Sequence, residues 1–118
     1  MKVFSATDVG KIRSMNQDFI FTSTDPVGNL PNLFVVADGM GGHKAGDFAS
    51  NYGVSVMVET IRKDTNFNPV KIIRNGISAA NREVLSTAVR DSSMAGMGTT
   101  IVAASVVGDY LYVANVGD

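Results

Sequence analysis

The chain contains no cysteine. Disulfides, thiolate metal sites and a cysteine nucleophile are thereby excluded, and the composition fits a reducing, cytoplasmic setting. Concentrated positive charge is missing as well. Ten basic against eleven acidic residues leave a net charge of −1, with no run of lysine and arginine. Nucleic acid and anionic membrane surfaces are therefore not expected as partners. No apolar run approaches the ~18 residues of a membrane span, and the opening MKVFSATDVG lacks the apolar core of a signal peptide. Internal repeats, low-complexity tracts and linkers are absent too. What is there is 45% apolar and 18% charged residues, the balance of one folded domain rather than a disordered segment.

Residues 2–7 and 19–22 are rich in β-branched and aromatic side chains and read as strands, separated by the polar DVGKIRSMNQD. Turn chemistry at Pro26-Val-Gly-Asn and Pro31-Asn precedes residues 33–37, an apolar run expected as a strand buried on both faces. Two helices follow. The first is expected to start near residues 44–47, with Val54, Met57, Val58 and Ile61 on one stripe. The second has Asn68 as N-cap and Pro69 at its first position, and Val70, Ile73, Ile77, Ala80, Val84 and Ala88 keep a helical period. Gly76 within it costs on the order of 1 kcal/mol relative to Ala unless close packing needs it. MAGMG, residues 94–98, reads as flexible or turn-like. Residues 99–107 and 110–116 form two strands joined at Gly108-Asp109, a pair suited to a tight hairpin. The order β-β-β-α-α-β-β predicts an α/β (α+β) fold, an antiparallel or mixed sheet with a helical pair on one face. Because Asp118 directly follows a strand, a truncated fragment is expected.

The chemistry concentrates in VVADGMGGHKAGDFAS, residues 35–50. A carboxylate after a buried strand is costly to desolvate unless a cation or strong donors compensate it. Gly39, Gly41 and Gly42 bare the backbone, so carbonyls or amides can approach an ion closely. Carboxylate plus carbonyl is an oxygen-only donor set of the kind Mg²⁺ and Mn²⁺ take. The alternative is a glycine-rich turn in which Asp38 caps the next helix. Arg13 either holds a phosphate through two parallel donors or is an ordinary surface arginine. Asp18 either orients a water on a metal or is a strand-edge aspartate. Asp118 repeats the pattern of Asp38, an apolar strand, a glycine and a carboxylate, and reads equally as a turn residue. His43, the only imidazole, is either a proton donor to a departing alkoxide or a solvated helix-start residue.

Together these segments resemble the metal-dependent type 2C (PPM) family of protein serine/threonine phosphatases, in its bacterial form. TDVGKIRSMNQD is similar to the family's first motif, VVADGMGGHKAGDFAS to its metal-binding motif, GMGTTIVAA to its Gly-Thr-Thr strand and LYVANVGD to the strand leading to a further aspartate. The resemblance implies that Asp38 bridges two Mn²⁺ or Mg²⁺ ions, that the Gly39 carbonyl completes one shell, and that Asp118 helps bind a third, weaker ion. It implies that Arg13 holds the substrate phosphate and that Asp18 supports waters on the metals. Bacterial members carry a histidine at the place of His43 as a candidate proton donor; eukaryotic members carry it directly after the Asp-Gly pair, where this chain has Met40. The implied reaction is hydrolysis of phosphoserine and phosphothreonine on proteins, commonly kinases and their substrates, by a water activated between two cations.

Family members are much longer, and the resemblance makes residues 1–118 the N-terminal portion of one phosphatase domain, a β-sandwich flanked by antiparallel helix pairs. With Asp38 and Gly39 as the only direct ligands of the two main ions, the isolated chain is expected to be inactive or nearly so. An exposed sheet face should also make it self-associate. The alternative function is a non-catalytic, phosphatase-like binding or regulatory module. A nucleotide-binding module is a poor fit, because the glycine-rich loop lacks a phosphate-binding lysine and the strands and helices do not alternate.

Overall fold

The computed structural model describes residues 18–116. The elements run β1 (Asp18–Ser23), β2 (Leu33–Met40), α1 (His43–Lys63), α2 (Pro69–Arg90), β3 (Gly98–Val107) and β4 (Tyr110–Val116), with a 3-10 turn at Ser92–Met94. The strand expected over residues 2–7 lies outside the described residues; the order found among them is otherwise the expected one. The four strands form one antiparallel sheet in the order β1-β2-β3-β4. Both helices lie on the same face, α1 over β1 to β3 and α2 over β3 and β4.

Local chemistry accounts for each boundary. Asn68 Oδ1 accepts from the backbone N–H groups of Val70 and Lys71 at 3.0 and 3.4 Å, and Pro69 opens α2. Asp91 ends it and then caps the 3-10 turn, accepting from Ser93 N and Ser93 Oγ. The side-chain and backbone donors of Ser93 hold its carboxyl below the ordinary aspartate range. Val107 and Tyr110 pair across Gly108-Asp109, where Gly108 has a φ of 62° at the first turn position, as a two-residue hairpin demands.

Packing resolves Gly76. A Cβ there would stand 3.0 Å from Ile61 Cγ1 and 3.1 Å from Met57 Cγ, so its absence lets α2 settle against α1. The core joins Leu33, Val35 and Ala37 of β2 and Ile101 and Ala103 of β3 to Val54, Met57 and Ile61 of α1 and Ile72, Ile73 and Ile77 of α2. The MAGMG segment is anchored rather than loose, because Met97 is buried with Ala45, Ala49 and Val84.

Two expectations change. β2 is not buried on both faces: Leu33, Val35, Ala37 and Gly39 are buried under the helices, while Val36 and Met40, on the other face, are exposed. Among the described residues helices cover only one side of this sheet, so the apolar run of β2 presents alternate side chains to the other face. The Pro26–Asn32 stretch is also more than a turn. Val27 and Leu30 pair with each other and are fully buried.

Asn32, buried beside them, behaves as a strand residue with its side chain. Its Oδ1 accepts from Val106 N at 2.7 Å, its Nδ2 donates to Val106 O at 2.8 Å, and Ser105 Oγ donates to its carbonyl at 2.7 Å. Asn32→Ala would strand the two polar groups of Val106. It is expected to lower unfolding stability by about 2 kcal/mol, read as an earlier urea midpoint; an unchanged midpoint contradicts this account.

Candidate metal centre

Asp38 does not close its strand. β2 runs on through Gly39 and Met40, which pair with Thr99 and Gly98 of β3. Since successive side chains alternate between faces, the burial of Ala37 and Gly39 under the helices sends Asp38 to the uncovered face. There its direct cross-strand neighbours are Asp18 of β1 on one side and Thr100 of β3 on the other. Residues so opposed have Cβ atoms roughly 4.5–5.5 Å apart. Two carboxylates and a hydroxyl therefore form a row across three strands, at the end of the sheet beyond the apolar row of Ile20, Val36 and Val102.

Asp38 is half-buried, and its Oδ1 is withdrawn from solvent. Two like charges directly opposed on a sheet repel, and a shared cation turns that repulsion into attraction. The donors are all oxygen, the ligand class of Mg²⁺ and Mn²⁺ rather than of softer metals. In kind, then, the residues fit a hard divalent cation. In number they do not complete its shell: no cluster of three or more carboxylate or imidazole groups occurs among the described residues.

The glycines after Asp38 have separate reasons. A Cβ on Gly39 would overlap the carbonyl oxygen of Gly46 in the first turns of α1, so strand and helix meet there backbone to backbone. Gly42 caps α1 at φ 83°, ψ 168°, a conformation confined to glycine, with open space around its α-carbon. Its carbonyl accepts from Gly46 N at 2.8 Å. Packing and helix entry thus account for bare backbone that the sequence alone linked to ion approach.

Of the residues singled out from sequence, the fold brings Asp18 and Asp38 face to face and places Gly39 next along the strand. His43 is the first residue of α1. Arg13 and Asp118 lie outside the described residues. Sequence reasoning passed over Thr99 and Thr100 as functional residues. Their hydroxyls lie 3.3 and 3.5 Å from the Asp38 carbonyl oxygen, a relation set by strand register and carried by no local motif.

Over most of its length the chain is similar to known proteins. The family model described as Protein phosphatase 2C matches residues 11–118. The chain is 38% identical over 118 residues to the serine/threonine phosphatase stp of Listeria monocytogenes, an alignment covering 95% of this chain and 45% of that protein. Among solved structures, the serine/threonine phosphatase Stp1 from Staphylococcus aureus superposes with a TM-score of 0.77 at 32% identity, covering 96% of this chain and 45% of the other. The catalytic domain of the serine threonine protein phosphatase PstP, solved in complex with two manganese ions, gives a TM-score of 0.73 at 26% identity, covering 94% and 45%. The chain thus spans a little under half the length of these relatives.

The two glycines can be told apart by substitution. Gly39→Ala forces β2 and α1 apart and should cost about 3 kcal/mol or more. Gly42→Ala meets no atom and should cost about 1–3 kcal/mol from its backbone conformation alone. Denaturant titration of both variants checks the order; equal or reversed losses would refute the backbone contact as the reason for Gly39.

Proposed function

The chain belongs to the protein phosphatase 2C family, and on that premise we propose that it is the N-terminal portion of a protein that hydrolyses phosphoserine and phosphothreonine on proteins, kinases and their substrates included. The observation that carries the reading is the opposition of Asp18 and Asp38 at the end of the uncovered sheet face. Asp38 and the Gly39 carbonyl would hold a pair of Mn²⁺ or Mg²⁺ ions, and Asp118 would contribute to a third. When bound, such ions neutralise phosphate charge and lower the pKa of water toward neutrality. Asp18 orients the attacking water. Arg13 would grip the phosphate through two parallel donors. As the new P–O bond forms, the bond to the serine or threonine oxygen breaks, and His43 is the candidate to give that oxygen a proton. The products are inorganic phosphate and the free hydroxyl.

The reading places the protein in the cytoplasm, in keeping with its cysteine-free composition; no helix among the described residues is long and apolar enough to cross a membrane. With so few ligands in hand, the 118-residue chain alone should turn over little or nothing. Hydrolysis of p-nitrophenyl phosphate tests this. In the full-length protein, activity should require Mn²⁺ or Mg²⁺, vanish with EDTA and fall to that background in Asp38→Asn; full activity in that variant would sink the proposal.

Self-association follows from the same architecture. Val36, Val102, Leu111 and Val113 are 46, 46, 64 and 60% exposed on one face, and β4, without a lysine, arginine or proline, pairs with β3 alone among the described strands. Light scattering on the eluting 118-residue chain should report a dimer or larger, and Val36→Lys with Val113→Lys should move it toward monomer. A monomer at high concentration without substitutions would contradict this.

A further inference from the structure

We propose that Thr99 and Thr100 are positioning residues that set the metal affinity of the centre by fixing the peptide link between Asp38 and Gly39. The inference rests on the reading that Asp38 and Gly39 hold the metal. Successive strand residues point to opposite faces, so Thr99 lies on the helix side, 8% exposed, and Thr100 on the carboxylate side. Their hydroxyls nonetheless converge on one atom, the Asp38 carbonyl oxygen, at 3.3 and 3.5 Å. Thr99 Oγ1 also lies 3.0 Å from its neighbour's carbonyl, Thr100 O, so its one proton is shared between two acceptors on the two strands.

The carbonyl they reach belongs to the peptide unit that joins both metal-holding groups. The torsions on either side of that unit, ψ of Asp38 and φ of Gly39, set where the Asp38 carboxylate and the Gly39 carbonyl stand relative to each other. Glycine offers no Cβ to resist rotation about its φ. The Gly46 backbone blocks Gly39 from the helix side, and the two threonines restrain the peptide from β3. Partners that orient metal ligands without touching the metal typically change affinity by about 10–100-fold when lost. A pair of shared, long hydrogen bonds belongs at the lower end.

The test titrates Mn²⁺ through the millimolar range into the wild-type chain and into Thr99→Val, Thr100→Val, the double variant and the matching serine variants. Free Mn²⁺ is followed by electron paramagnetic resonance, and bound Mn²⁺ by amide line broadening. Valine keeps the shape and strand preference of threonine, and unfolding curves without metal show which variants are folded. The expected result is about tenfold weaker Mn²⁺ binding in the double valine variant, smaller losses in the single variants, and wild-type affinity restored by serine. Folded valine variants that bind as wild type would overturn the proposal while leaving the metal centre standing, as would serine variants that fail to restore affinity. If Asp38→Asn binds Mn²⁺ as well as the wild-type chain does, the metal centre itself is wrong, and the role of the threonines falls with it.

Discussion

The contact on which the molecule's layout depends is between two backbones, Gly39 of β2 and Gly46 of α1, with no room for a side chain at Gly39. It sets how closely the first turns of α1 lie against the end of the sheet. Because strand side chains alternate, whatever presses on Gly39 from one face dictates what Asp38 presents on the other. The tight turn through Gly41 and Gly42 follows from that closeness: the chain must leave β2 and enter a helix packed on the same strand within two residues. A loop built that short needs positive φ, and both glycines have it, at 113 and 83°.

The sheet is consequently a shared wall between a packed core and a polar row. Thr99 shows how the two sides communicate. Its methyl faces α1, where a Cβ on Gly53 would stand 3.1 Å away, and its hydroxyl reaches the Asp38 carbonyl. The missing side chain at Gly53 therefore brings the helix onto Thr99, and the packed methyl limits the rotamers open to the hydroxyl. Close approaches at Gly39, Gly53 and Gly76 tie α1 in turn to β2, to β3 and to α2. Core packing here does geometric as well as energetic work, since the polar row inherits the rigidity of a wall whose other side is dense.

How much of this was legible depended on the range of the forces involved. Asn68-Pro69, Gly108-Asp109 and the helical stripes act over a few residues, so they could be read directly and hold in the structure, except that Val70, in the first turn of α2, is exposed while Ile72 takes a buried place. The motif residues suggested a metal centre, and the chemistry of Asp38 was visible in its neighbours. What the sequence concealed was register. Nothing local says that Asp18 opposes Asp38, that Thr100 stands on its other flank, or that Asn32 pairs with Val106. Apolar character also misled where coverage decides burial. Val36 and Val35 look alike in sequence, and only the position of the helices makes one exposed and the other core. Val27 and Leu30, flanking a Gly-Asn turn, were hidden by turn chemistry that is real but brief.

The uncovered face ties the apolar rows to the acidic one. A layer packed on Val36, Val102 and Val113 would bring low-dielectric material up to the Asp18–Asp38 row. Lowering the dielectric strengthens repulsion between the two carboxylates and also strengthens their attraction to a cation. Covering the face would thus disfavour the metal-free state of the row and favour the metal-bound one. By linkage, whatever cation binds the row must in turn favour the covered face by the same free energy. Hydrophobic closure and metal affinity are two readings of one coupling, which is a physical reason for a charged row to end an apolar sheet face.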